Sequence, residues 1–391
     1  MNTSKVWIIT YNFGAIKAGP VLRFMKYAPH FEKLGVETVF VTKDRGQTSI
    51  NINENEPKVI YIKCNNSIEL TKMAINKAIN EKVKPTTLLF LSIDHQSYFS
   101  LLKAKINGIK LLYVSTMQFS LKFKEYGKPR NLFVQFFLFL LLNRTYNLFN
   151  YIVCSTNLLK EDFRNLSVNG KKLNVIYNGV DTNKFKPVST DEKLQLRQKY
   201  NLPKEKFIVL FVGLFVERKG VDYLLNLFKV FNHKTNISNM PLLLMVGDEM
   251  LGITENSQSF KTNWPKLKQE SIKDGFVRFD SFSNHIHEYY KMVDMFIFPS
   301  KLEGMPNVLL ESMSSGLPVL VNKFDGFSDD YGNSKKEYDI ISYDLVNDLK
   351  LFEHYLNNKK ASNELAKKAR IHALENFDFD KSINAYVSLI K

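Results

Sequence analysis

Three observations predict an α/β chain of two doubly wound domains, each a parallel sheet with helices on both faces. Short apolar runs of strand length recur along the chain, separated by stretches whose apolar residues fall at helical spacing. The alternation is interrupted at Thr182 to Asp191, where polar residues and Pro187 break the pattern, and then begins again. A length of 391 residues with 45% hydrophobic content is enough for two buried cores of ordinary domain size.

In the first half the predicted strands are Val6–Thr10, Thr38–Thr42, Val59–Ile62, Leu88–Ile93, Leu111–Val114, Tyr151–Cys154 and Asn174–Tyr177. Val21–Leu34 and Ile68–Asn80 read as helices between them, the first ended by Gly35 just past its last turn. The second half supplies Phe207–Val212, Leu242–Val246, Val277–Phe279, Met295–Phe298 and Pro318–Val321. The expected domains are 1–185 and 186–376, with an amphipathic segment 377–391 crossing back to the first. Sheets of this kind bind ligands at the carboxyl ends of their strands, here in a cleft between two domains.

Charge is distributed unevenly. Residues 1–188 carry 27 Lys and Arg against 12 Asp and Glu, whereas residues 189–391 carry 27 of each, so the whole excess of +15 belongs to the first half. Such a domain faces an anionic lipid surface or is simply a Lys-rich solvated surface; no nucleic-acid module or Arg-rich tract accompanies the charge. Residues 132–142 are the most apolar segment, flanked by Lys122, Lys124, Lys128, Arg130 and Arg144. At well under the ~20 residues a membrane span requires, this segment fits either an interfacial helix beside anionic lipid or a buried core helix. Cys64 and Cys154 lack metal spacing and sit among apolar residues, which points to free thiols in a reducing cytosol. The Val6–Ile9 run is too short for a secretory signal and fits a first strand. The expected location is therefore cytoplasmic and peripheral to the inner face of the membrane. No metal cluster and no cofactor are expected.

The stretch from Pro299 to Ser312 carries most of the chemistry. It leaves a buried strand, is broken by Gly304 and Pro306, and enters a helix that Asn307 is placed to cap and that runs to Gly316. The amides of Asn307, Val308 and Leu309 then have no helical partner, and such a terminus holds a phosphate. Glu303 precedes that end and Glu311 follows it by about a turn, so the two acids meet opposite ends of a ligand whose phosphates lie between them, the shape of a nucleotide-sugar. A second stretch, Phe211 to Leu225, also follows a strand. Gly213 allows close approach of backbone to a ligand, and Arg218 and Lys219 put two cations at a helix start, where they oppose the dipole unless an anion joins them. A third, Asn174 to Pro187, contains Asn178-Gly179-Val180-Asp181, by itself only a turn signal.

In this fixed order the three stretches resemble the retaining glycosyltransferases of family 4, which have the GT-B fold of two Rossmann-like domains facing across a cleft. Val246-Gly247-Asp248, Tyr290 through Asp294 and Gly316-Leu317-Pro318-Val319 extend the resemblance over most of the chain. It implies that Glu311 binds the donor ribose, that Arg218 and Lys219 hold the diphosphate with the amides of Asn307 and Val308, and that Glu303 lies near the transferred sugar. It implies retention, with the leaving phosphate deprotonating the acceptor. Gly19, in Tyr11 to Pro20 after the first strand, resembles the family's N-terminal glycine loop at the donor phosphate or acceptor. Departures fall at Ser115-Thr116-Met117-Gln118, where many members have a histidine, at Leu214, where many have an arginine, and at Asn322–Gly326. His95 follows the preceding strand and is read as structural.

The expected function is transfer of a sugar from a nucleoside diphosphate donor to a cell-surface glycan or lipid-linked precursor. A non-catalytic nucleotide-sugar-binding subunit and a nucleotide-sugar epimerase of the same fold are the alternatives.

Overall fold

The computed structural model describes residues 4–11, 19–45, 58–116, 132–234, 240–250 and 256–391, and among these it forms two compact units, 1–178 with 380–391, and 179–379. Residues 12–18 of the glycine-containing loop, Met117 and Gln118, and the basic residues Lys122, Lys124, Lys128 and Arg130 lie outside the described residues.

The first unit is built on seven parallel strands: β1 (Ser4–Ile9), β2 (Val36–Lys43), β3 (Lys58–Ile62), β4 (Thr87–Phe90), β5 (Lys110–Ser115), β6 (Tyr151–Cys154) and β7 (Leu173–Val175). Their order is β3-β2-β1-β4-β5-β6-β7, so the winding reverses between β1 and β4. Buried runs such as Val6-Trp7-Ile8-Ile9 are apolar on both sides because helices cover both faces. The C-terminal helix Phe379–Ile390 belongs to this unit: Tyr386 meets the Phe24 ring edge-on at 5.2 Å, and the Ile390 carbonyl accepts from Thr87 Oγ1 at 3.1 Å. Cys64 and Cys154 are free and buried. The apolar run sits in the helix Leu132–Leu148, and its described side chains divide. Phe139, Leu142 and Leu148 pack against the core, while Phe137 is 63% exposed. No helix among the described residues is long and apolar enough to cross a membrane.

The second unit has six parallel strands: β8 (Ile208–Val212), β9 (Leu242–Val246), β10 (Val277–Asp280), β11 (Met295–Phe298), β12 (Val319–Asn322) and β13 (Asp339–Ile341). The order β10-β9-β8-β11-β12-β13 reverses between β8 and β11. β13 is short and carries the charged Asp339, and the apolar-run criterion did not pick it out. Residues 179–185, assigned to the first domain by sequence, are tied to the second unit. The Val180 amide bonds the Phe377 carbonyl at 2.8 Å, and buried Phe185 packs edge-on against Tyr290 at 5.6 Å.

Candidate functional site

The reversal between β8 and β11 places two loops side by side at the carboxyl ends of neighbouring strands, where open α/β sheets form a ligand crevice. After β8 the chain runs through Gly213 to the turn Glu217–Lys219 and Gly220, then enters the helix Val221–Lys234. After β11 it runs through Pro299 to Pro306 and enters the helix Asn307–Ser314.

The two loops are joined by charge and by backbone. Glu303 Oε1 lies 2.6 Å from Lys219 Nζ and 3.2 Å from Arg218 Nη1, and it also accepts from Ser300 Oγ at 2.6 Å. Lys219 and Glu303 keep only 11% and 12% of their side-chain surface exposed, whereas Arg218 keeps 29%. The Lys219 ammonium also stands 5.0 Å over the Phe298 ring. The Lys301 amide donates to the Arg218 carbonyl at 2.7 Å, and Arg218 Nη1 donates to the Leu302 carbonyl at 3.2 Å. Two cations thus share one carboxylate in this cluster.

Glycine is required where these loops touch. Gly220 has φ +66°, and a Cβ there would overlap the Pro299 carbonyl and the Tyr343 hydroxyl. A Cβ on Gly247, which follows β9 at φ +153°, would overlap the Gly213 carbonyl. Gly19, by contrast, starts the helix Gly19–Lys33 in the first unit with nothing among the described residues within 4 Å of a would-be Cβ. Gly213, Arg218, Lys219, Glu303, Asn307, Val308 and Glu311 all lie on the loops and helices that follow β8 and β11 in the second unit, and Gly19 belongs to the first unit.

The helix N-terminus differs in detail from the sequence reading. Pro306, not Asn307, is the N-cap, and no side chain caps the helix. Proline holds the extended φ/ψ that a cap needs and leaves Asn307 as the first helical residue. The Leu309 amide, expected to lack a partner, donates to the Pro306 carbonyl at 3.1 Å. The helix ends at Ser314, with Gly316 at φ +67° just past the C-cap Ser315.

Glu311 is 8% exposed, and its Oε2 accepts from Tyr290 Oη at 3.2 Å. The same hydroxyl lies 3.2 Å from the Val308 carbonyl. Burial, followed by the neighbouring Glu311 carboxylate, raises the Tyr290 pKa well above its ordinary value, so this phenol remains a donor. Tyr290 appears in the sequence only as part of the segment before the acidic loop, and its spacing from Glu311 carries no signal of the contact. Ser300 is more visible, because a hydroxyl three residues ahead of an acid is a local hydrogen-bonding pattern.

Outer contacts fix both loops. Glu217 Oε2 accepts from the Ser257 amide at 2.6 Å, and the Glu217 amide donates to Asn256 Oδ1 at 2.9 Å. The bond from the Ser257 amide, outweighing burial that acts in the opposite direction, holds the Glu217 carboxyl below the usual carboxylate range. Tyr331 Oη donates to the Gly304 carbonyl at 2.8 Å, and Asn322 Nδ2 to the Ser300 carbonyl at 2.8 Å. Asn322 belongs to the segment that departs from the family pattern, and here it supports the acidic loop. A separate groove of about 400 Å³, lined by Pro187, Gly316 and Arg370, lies past the C-terminal end of this helix, away from the acid pair.

Residues 192–372 match the family described as glycosyl transferases group 1. The alpha-galactosylglucosyldiacylglycerol synthase of Streptococcus pneumoniae is 26% identical over 240 residues, 60% of this chain and 60% of that protein. A UDP-Gal:alpha-D-GlcNAc-diphosphoundecaprenol alpha-1,3-galactosyltransferase of Escherichia coli is 28% identical over 250 residues, 61% and 60% of the two chains. The matched region thus spans about three fifths of the length of these curated relatives. The crystal structure of Anabaena HepE in complex with UDP superimposes with a TM-score of 0.74 at 15% identity, covering 98% of both chains. The two-sheet architecture is the GT-B fold of the glycosyltransferases.

Proposed function

We propose that this GT-B chain, whose residues 192–372 form a glycosyl transferases group 1 domain, is a retaining family 4 enzyme. It transfers a sugar from a nucleoside diphosphate donor to a cell-surface glycan or lipid-linked precursor. The observation that carries the reading is the Arg218–Lys219–Glu303 cluster beside the N-terminus of the Glu311 helix at the β8/β11 reversal. Positive charge and helix-end amides at one point favour a diphosphate. Arg218 and Lys219 take the diphosphate, partly exchanging Glu303 for phosphate oxygens. Asn307 and Val308 direct their amides at it, Gly213 lets the backbone approach, and Glu311, held by Tyr290, accepts from the ribose hydroxyls.

Transfer requires charge to build on the leaving diphosphate, and preorganised donors stabilise that charge more than they stabilise the ground state. The reaction is then limited by leaving-group departure, and the departing phosphate oxygen takes the acceptor proton on the same face. Glu303 lies beside the transferred sugar and orients both cations. No resident cofactor enters this scheme. Uridine donors are the first to test, since HepE of the same fold was solved with UDP.

The basic first half, with Phe137 outward on the Leu132–Leu148 helix, supports a peripheral position on the inner membrane surface, near a lipid-linked acceptor. The test of the reaction is nucleoside diphosphate release from UDP-, GDP- and ADP-sugars with a membrane extract as acceptor, comparing the parent with Glu311→Ala and Arg218→Ala. Turnover with one donor that both substitutions abolish, in folded proteins, supports the proposal. Donor binding without turnover in any extract favours a non-catalytic binding subunit, and no donor binding overturns it.

A further inference from the structure

Tyr343 lies in the turn between β13 and the helix Leu345–Asn357, with its backbone at φ +63°. A bulky side chain is sterically disfavoured in this left-handed region, which glycine occupies freely. Strain of this kind persists only where the surroundings over-determine the conformation, and those surroundings are hydrogen bonds to one buried acid. The Tyr343 amide donates to Asp348 Oδ2 at 3.0 Å, and Ser342 donates to Asp348 Oδ1 from its amide at 2.8 Å and from its hydroxyl at 2.9 Å. Asp348 is buried and also accepts from Tyr223 Oη at 2.5 Å. The Tyr223 and Tyr343 ring centroids are 4.2 Å apart. Tyr223 stands in the first turn of the helix Val221–Lys234, so the β13 turn is clamped to the helix that follows Gly220.

The clamped ring carries its hydroxyl to the two donor loops. Tyr343 Oη donates to the carbonyl of Pro299, the first residue after β11. Gly220 lies against the same pair, since a Cβ there would overlap both the Tyr343 hydroxyl and the Pro299 carbonyl. Lys301 Nζ stands 5.4 Å from the centroid of the Tyr343 ring, and the Lys301 amide is the one that bonds the Arg218 carbonyl. Burial, followed by the Asp222 and Asp348 carboxylates, raises the Tyr343 pKa, so the phenol stays protonated and remains a donor. A glycine would make this turn without strain. What tyrosine adds is a hydrogen bond to the start of the acidic loop and an aromatic face under Lys301.

We propose that Tyr343 is a positioning residue of the donor site: its hydroxyl, on the Pro299 carbonyl beside Gly220, sets the placement of Arg218 against the acidic loop that carries Glu303. The assignment rests on the transferase reading above. It makes the β13 turn, which touches neither Arg218 nor Glu303 through the Tyr343 hydroxyl itself, a support on which diphosphate binding depends.

The test is isothermal titration of inorganic pyrophosphate into the full chain. Tyr343→Phe keeps the ring and removes only the hydroxyl, and is expected to raise the pyrophosphate Kd at least fivefold with an unfolding midpoint close to the parent's; an unchanged Kd overturns the proposal. In the Arg218→Ala chain the same substitution is expected to change the Kd less than twofold, because the group through which Tyr343 acts is gone. A full fivefold rise in that background overturns the route through Arg218. Tyr343→Gly relieves the backbone strain as it deletes the hydroxyl, and is expected to be more stable than Tyr343→Ala yet to bind pyrophosphate no better. Affinity that follows stability through the three variants overturns a positioning role in favour of a structural one. In the transfer assay Tyr343→Phe is expected to lower donor kcat/KM at least fivefold and leave the acceptor KM within twofold, and an equal rise in acceptor KM counts against the assignment. Absence of transfer with every donor, in the parent as well, defeats the transferase reading and leaves the pyrophosphate titration to decide the role of Tyr343.

Discussion

The Tyr290 hydroxyl donates to the Glu311 carboxylate at 3.2 Å from a fully buried position, so the acid assigned to the donor ribose is oriented by a residue on a different helix. Tyr290→Phe removes this bond without changing the ring that packs on Phe185 and Phe296. A hydrogen bond to a charged group contributes about 1.5–3 kcal/mol, so donor KM is expected to rise by roughly one to two orders of magnitude. The kcat is expected to change far less, because the proposed donor pose has Glu311 on the ribose and not on the reacting bond. Steady-state kinetics in donor and acceptor separately check this, and a fall in kcat at constant KM contradicts it.

Arg218 and Lys219 share Glu303, so their effects on donor binding are coupled. Each donor to the developing phosphate charge is worth about 2.7–4 kcal/mol, or roughly two to three decades in kcat. Lys219→Met and Glu303→Gln are each expected to lower kcat by about that range. The double variant is expected to lose less than the sum, because Lys219 and Glu303 are in direct contact and either single change already removes their ion pair. A double-mutant cycle on kcat measures the difference, and strict additivity contradicts the shared cluster.

Much of this site was legible because its chemistry sits in local sequence. A strand, a Gly or Pro break and a helix start recur after β8 and after β11, and each break carries its charges within a few residues. Asn307 was misplaced as the cap because asparagine is a common capping residue, whereas the restricted backbone of Pro306 takes the position here. Tyr290 and Asn322 were not legible as supports, since their partners are set by packing between elements far apart in the chain. β13 was missed for a related reason: it has three residues, and Asp339 is held by Tyr355 at 2.9 Å instead of being replaced by an apolar residue.

Gly220 tests the backbone contact between the loops. Gly220→Ala places a Cβ against the Pro299 carbonyl at φ +66°, and such strain costs of order 1–3 kcal/mol. The expected outcome is a lower midpoint of thermal unfolding together with weaker donor binding, since the same contact aligns Arg218 with the acidic loop. Gly19→Ala, with nothing among the described residues within 4 Å of the added carbon, is expected to leave the unfolding midpoint nearly unchanged.

Glu217 gives the site an acid-side dependence. Its folded pKa lies below the ordinary carboxylate value, chiefly through the bond from the Ser257 amide. A carboxyl of this kind stabilises the fold fully above its unfolded pKa of about 4.3. That contribution is lost as pH falls through the folded value. Glu217→Gln should therefore be less stable than the parent at pH 7, and the gap should close as both are acidified below pH ~4. Denaturant midpoints across pH 3–7 measure the gap, and one that widens toward acid reverses the assigned sign.

The proposed membrane contact turns on two forces acting on two neighbouring helices of the first unit. Phe137 is 63% exposed on the helix Leu132–Leu148, and Phe99 and Ile106 are 80% and 76% exposed on the neighbouring helix Tyr98–Ile106, which also carries Lys103 and Lys105. Apolar side chains beside lysines suit the boundary between headgroups and acyl chains, where each basic residue near an anionic surface adds about 1 kcal/mol. In flotation, the full chain is expected to rise with vesicles containing phosphatidylglycerol and to remain behind with pure phosphatidylcholine. Raising salt should release it, because the attraction decays over a Debye length. Phe99→Asp/Phe137→Asp puts acids on these two helices and is expected to reduce recovery with anionic vesicles toward the neutral level. Equal recovery on both vesicle types removes the electrostatic part of the assignment, and full recovery of the double variant removes the apolar part.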